Sequence, residues 1–92
     1  MELTDHDLAV LRLAARDLEG RLAFFLTGEG VGMLMETRGE AMLPAEDALP
    51  RLEAMGLLSR ALNCTYVLTP QGWDAAVAPE GLDRWMALYQ GA

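Results

Sequence analysis

Apolar residues recur at helical spacing almost from the start of the chain. Thr4 and, three residues later, Asp7 make a capping-box-like beginning, after which Leu8, Leu11, Ala15 and Leu18 follow at three- and four-residue steps along one face. This spacing predicts a first helix over about Asp5 to Glu19. Leu22 and Phe25 prolong the same stripe, so Gly20 reads either as a weak point in one long helix, costing about 1 kcal/mol relative to alanine, or as a break between two short ones. Thr27-Gly28-Glu29-Gly30 interrupts the pattern. A further stretch with Val31, Leu34 and Met35 on one face, closing near Arg38-Gly39, predicts a short second helix.

Pro44 stands where a third helix can open without losing a hydrogen bond, Leu49, Leu52 and Met55 supply its buried face, and Gly56 closes it. Pro50 lacks a donor and crowds the carbonyl of Glu46, which predicts either a kink or a helix that begins only near Asp47. Two β-compatible runs follow, Leu57 to Ala61 and Thr65 to Thr69, separated by Leu62-Asn63-Cys64, where Asn63 tolerates positive φ. They predict a hairpin. Thr69-Pro70 places a capping hydroxyl before a first-turn proline, so a fourth helix is expected over about Pro70 to Val77. Pro79 ends it and begins a last one, to about Gln90, which gathers Leu82, Trp85, Met86 and Tyr89 on one side. No repeat, linker or low-complexity tract divides the chain, and residues 1–92 are expected to form a single domain of the α+β class.

Within this order the local sequence is more specific than the periodicity. "LPRLEAMGLLSR" (49–60) resembles the recognition-helix exit of winged helix-turn-helix domains, and "YVLTPQGWDAA" (66–76) resembles their return strand and following helix, in the pattern Tyr-x-Leu-Thr-x-x-Gly-x-x-x-Ala. Transcription regulators of the MarR and PadR kinds carry both, and the likeness spans residues 45 to 78. It implies a small winged helix with a three-helix core, a two-stranded hairpin wing and one or two C-terminal helices. In that frame the third helix lies in the major groove and the wing touches the DNA backbone. The groove-facing positions would then be Ala45, Glu46, Asp47, Ala48 and Arg51, with Arg60 and Asn63 on the wing.

Charge changes this picture. Fourteen carboxylates against seven arginines and no lysine give a net charge of −7, which repels a polyphosphate partner unless the cations gather on one face. Glu46 and Asp47 place two carboxylates where DNA readers carry cations, and the wing tip Leu62-Asn63-Cys64 is uncharged. The first expectation is therefore an acidic, non-enzymatic winged-helix regulatory module that binds another protein through Glu46, Asp47, Arg51, Arg60 and Asn63. Two alternatives stay open. One is a dimeric DNA-binding regulator using Arg38, Arg51 and Arg60, and the other is a small acidic phage-type inhibitor of a nucleic-acid-binding complex. A homodimer through Leu82, Trp85, Leu88 and Tyr89 competes with packing of those side chains inside one chain.

Other chemistry finds little footing. The sole histidine, His6, and the sole cysteine, Cys64, cannot furnish a tetrahedral zinc site, and the sole serine, Ser59, lies 53 positions from that histidine. No catalytic residue, metal site or cofactor is expected. Gly28-Glu29-Gly30-Val31-Gly32 lacks the lysine of a phosphate-cradling loop and is read as a turn. Glu29, Glu36, Glu40, Glu46 and Asp47 are read as a solvated acidic face, and Met33, Met35 and Met42 as core filler. With no stretch of roughly 20 apolar residues and no basic leader after Met1-Glu2, a cytoplasmic protein is expected, and arginine as the sole base, with no lysine and no isoleucine, suggests a GC-rich bacterium or its phage.

Overall fold

The structure, a computed structural model, describes residues 3–77. Helix α1 runs Asp5–Ala15, and three strands follow it: β1 (Arg21–Leu26), β2 (Gly32–Glu36) and β3 (Met42–Pro44). Helix α2 (Ala48–Ala54), strands β4 (Leu58–Arg60) and β5 (Thr65–Leu68) and helix α3 (Pro70–Ala76) complete the described chain. All five strands join one antiparallel sheet in the order β3-β2-β1-β5-β4. The helices pack on one face, where Val10, Leu11, Ala14, Leu22, Leu34, Ala48, Leu52 and Ala76 are fully enclosed.

The α+β class, the capping box of α1, the hairpin β4–β5 and helix α3 agree with the sequence reading. The first half of the chain does not. Helix α1 stops at Ala15 because Asp17 turns its carboxylate onto the N–H groups of Glu19 and Arg21, 2.9 and 3.0 Å away, and so competes with continued helix. Leu18, counted into the helical stripe, is 99% exposed. Gly20 then takes φ +70° and lies against Leu68 and Trp73, so close that a Cβ there would sit 2.9 Å from the indole. Beyond it Arg21-Leu22-Ala23-Phe24-Phe25-Leu26 is a strand with Leu22 inward and Phe24 packed on the core, not a second length of helix.

The short helix expected over residues 31–38 is strand β2. Leu34 and Glu36 face the core, while Met33 and Met35 alternate to the other side. Thr27 makes the turn before it, its hydroxyl accepting from the N–H groups of Glu29 and Val31 and its carbonyl from Gly30. Gly32 is required for packing: its missing side chain leaves room for the ring of Phe24, which a Cβ would approach to 2.9 Å. Pro44 ends β3 instead of opening a helix. Helix α2 begins after Asp47, so Pro50 falls in its first turn, where the absent N–H leaves no gap, and no kink results.

The two stretches that carry the winged-helix likeness interlock physically. Gly56 (φ +76°) ends α2 with the paired bonds Leu57 N–H to Leu52 carbonyl and Gly56 N–H to Glu53 carbonyl. The Thr69 hydroxyl donates to the Gly56 carbonyl at 2.6 Å and accepts from the Gly72 N–H at 3.0 Å. Gly72 is the tightest point, since a Cβ there would lie 2.1 Å from the Leu57 carbonyl oxygen. The last helix expected from Pro79, with Leu82, Trp85, Leu88 and Tyr89, lies outside the described residues.

Gly72→Ala should accordingly force α3 off the hairpin and lower stability by roughly 2 kcal/mol or more. Gly28→Ala, which meets nothing within 4 Å, should stay within about 0.5 kcal/mol. Urea midpoints of the two variants measure the difference.

Candidate functional site

The five residues singled out by sequence fall on two neighbouring features, the start of α2 and the hairpin β4–β5. Glu46 and Asp47 are exposed immediately before α2. Glu46 adopts φ +47°, a left-handed conformation uncommon outside glycine, and its carboxylate stands 3.4 Å from Nε2 of His6, a charged pair whenever the imidazole is protonated. Asp47 occupies the capping position without a side-chain bond into the helix. Pro50 and Ala54 continue the exposed side of α2, where the half-exposed Arg51 is the cation of the helix.

Arg51 is held from below. Its Nη2 donates to Asp7 Oδ1 at 2.6 Å and its Nε to Oδ2 at 3.3 Å, a two-pronged grip on a carboxylate that is wholly buried. Asp7 also closes the capping box of α1, accepting from the Thr4 N–H at 3.1 Å while its own N–H donates to the Thr4 hydroxyl. The Arg51 bond is the largest influence on Asp7 and, with those from Thr4, keeps its carboxyl below the ordinary aspartate range against the opposing effect of burial. The bond to Asp7 raises the affinity of the guanidinium for its proton in return, and the nearby charges of Asp47 and Glu46 add to the effect.

On the hairpin, Arg60 lies 3.6 Å from Glu53 of α2 and 5.7 Å above the Tyr66 ring. Asn63 and Cys64 form the tip with φ of +59° and +58°, beside Leu62, which is 85% exposed. The hairpin therefore projects an uncharged end. The contact between Glu53 and Arg60 ties α2 to β4, making the helix and the hairpin one continuous surface.

Arg38 lies elsewhere, beside the turn joining β2 to β3, where it pairs with Glu36 at 3.3 Å and Glu40 at 3.9 Å. Glu36, read as part of a solvated face, is 1% exposed. Burial pushes its carboxyl upward most strongly, yet the backbone N–H groups of Glu40 and Ala41 together with Arg38 and Arg16 outweigh that and leave it below the ordinary glutamate range. Asp17 is similar, with burial opposed by the Thr37 hydroxyl and by the N–H groups of Arg21 and Glu19, and its carboxyl too ends low. Arg21 completes the pattern by pairing with Asp17 and Glu19 at 3.8 and 3.1 Å. Sequence alone did not signal the Asp7–Arg51 pair, whose members lie 44 positions apart.

Among the described residues no group of three or more histidine, cysteine, aspartate or glutamate side chains is placed to hold a metal ion, and no helix is long and apolar enough to cross a membrane. A scan against protein-family models and searches among curated proteins and solved structures found no match to this chain.

Two outcomes follow for stability. Asp7, Asp17 and Glu36 all titrate below their ordinary values of 3.8, 3.8 and 4.5 in the fold, so the stability they contribute is complete above those values and disappears as pH falls through the lower folded ones. Unfolding free energy measured in urea should be nearly level between about pH 7 and pH 5 and should fall on further acidification, less steeply in Asp7→Asn and Glu36→Gln. Thr4→Ala should lose about 1 kcal/mol with the cap. Asp7→Ala should lose clearly more in the same assay, because it removes a fully enclosed side chain together with its bonds to Thr4 and Arg51.

Proposed function

We propose that this chain is a non-enzymatic regulatory module of winged-helix type that binds another protein through α2 and the hairpin β4–β5. In this reading α2 corresponds to the recognition helix, β4–β5 to the wing, and the hairpin β1–β2 takes the place of the second core helix. The motif pair 49–60 and 66–76 supports the assignment through its mutual packing, Gly56 and Thr69 on one side and Gly72 on the other.

One observation carries the choice of a protein over DNA. The two arginines that would meet phosphate from this surface, Arg51 and Arg60, are each engaged by a carboxylate of the same chain, Asp7 and Glu53. Glu46 and Asp47 stand exposed beside them. A duplex carries one charge per about 1.7 Å of axis, so approach along this surface meets like charge from Glu46 and Asp47 while the cations beside them are already paired within the chain. A protein surface with its own cationic patch, or an apolar pocket that accepts Leu62, meets no such opposition.

The test has two arms. Anisotropy of a labelled random duplex at low salt should show no saturable binding up to about 10 µM protein, a concentration at which DNA-binding domains already hold non-specific sites. Tagged protein expressed in its native host should retain a partner that Glu46→Arg combined with Asp47→Arg loses by about tenfold or more, a change of roughly 1.4 kcal/mol. Duplex binding that weakens steeply with salt and vanishes in Arg60→Ala would replace this function with DNA binding.

A further inference from the structure

The chain passes from β3 into α2 through a turn whose two ends are fixed. Ala45 is enclosed, its N–H donates to the Gly32 carbonyl at 2.9 Å, and its carbonyl accepts from the Ala48 N–H at 3.0 Å. Between them Glu46 takes the left-handed φ of +47°, a conformation that glycine adopts freely and other residues only under strain. For the turn alone, glycine is the better residue. What glutamate brings is a carboxylate whose Oε2 stands 3.4 Å from Nε2 of His6, in the first turn of α1. That nitrogen is shielded from water and makes no hydrogen bond among the described residues. A shielded ring nitrogen without a partner is unfavourable, and the Glu46 carboxylate is the group placed to answer it.

We propose that His6 and Glu46 form a pH-dependent latch between the start of α1 and the turn into α2, closed when the imidazole carries a second proton and open when it does not. His6 is the sole histidine of the chain, and histidine is the side chain that ordinarily titrates between about pH 5 and pH 8, where carboxyl groups are already ionised. The attraction exists only with the charged ring. The stability it contributes is therefore complete on the acid side of the histidine range and is lost as pH rises through it. This is opposite in sign to the contribution of the buried carboxylates.

The other charges around His6 do not change across that range. On its own helix Asp5 is exposed, Asp7 is committed to Thr4 and Arg51, and Arg12 and Arg16 lie further along. Asp47 stands exposed beside Glu46. Of the elements packed against α1, α2 carries Arg51 on Asp7 and Glu53 beside Arg60, β1 carries Arg21 beside Asp17 and Glu19, and β2 carries Glu36 with Arg16 and Arg38. Helix α3 adds Asp74, β5 only the Tyr66 phenol, and β3 no titratable group. Arg51 feels the charge of Glu46 as well, but it is cationic with the latch open or closed. Closing the latch pairs one of the two exposed carboxylates before α2. Its effect on partner binding rests on the function proposed above, whereas the latch itself does not.

Urea unfolding of the full chain at about pH 5.5 and about pH 7.5, on either side of the histidine range, tests the latch without any partner. Glu46→Gln removes the charge and keeps the side-chain length. It should raise the unfolding constant relative to the parent by about two- to threefold more at the lower pH than at the higher, the range of a solvent-exposed ion pair. In a His6→Gln background this excess should vanish. Glu46→Gly relieves the left-handed φ, so it should show the same excess while being no less stable than the parent at the higher pH. An effect of Glu46→Gln that is equal at the two pH values overturns the proposal, as does an excess that persists without His6.

Discussion

The buried carboxylate of Asp7 is the constraint around which the described chain is arranged. It is enclosed by the core yet ionised, and it tolerates that position only because the Thr4 backbone and the Arg51 guanidinium supply its hydrogen bonds from opposite sides. Thr4 fixes where α1 starts, and Arg51 fixes where α2 lies against it. An ion pair with its carboxylate buried adds little net stability compared with an apolar substitute, but losing Arg51 leaves the enclosed Asp7 carboxylate uncompensated. Its effect is therefore on which arrangement is adopted: any packing of α2 that separates Arg51 from Asp7 strands a charge in the interior.

Four other arginines are also engaged by carboxylates of the chain. Arg16 and Arg38 reach the buried Glu36, Arg21 joins Asp17 and Glu19, and Arg60 bridges Glu53 and the Tyr66 ring. In a chain with twice as many acids as bases, these arginines are each held beside a carboxylate of the same chain while their side chains stay partly exposed.

What could be read in the sequence was what depends on local chemistry. The capping box at Thr4, the helix-ending Gly56, the positive φ of Asn63 and the Thr69-Pro70 start are each decided within a few residues, and each stands in the structure. The stretch from residue 18 to residue 44 was misjudged because its hydrophobic spacing fits two periods at once. Leu18, Leu22 and Phe25 lie at helical steps, but Leu22 and Phe24 alternate equally well as a strand, and Gly32 only makes sense beneath the Phe24 ring. The pairing of strands chose between them, and pairing is a long-range property. For the candidate site, Glu46, Asp47 and Asn63 were placed correctly as exposed, whereas the commitment of Arg51 and the burial of Glu36 depend on partners that approach only after folding.

The hydroxyl of Thr69 has a mechanical meaning beyond its role as a cap. It grips the carbonyl at the end of α2 and the first turn of α3 together, at the foot of both hairpin strands. The hairpin is thus clamped at its base like a tuning fork in a stock. A displacement at the foot of the hairpin is therefore shared by the end of α2 and the start of α3.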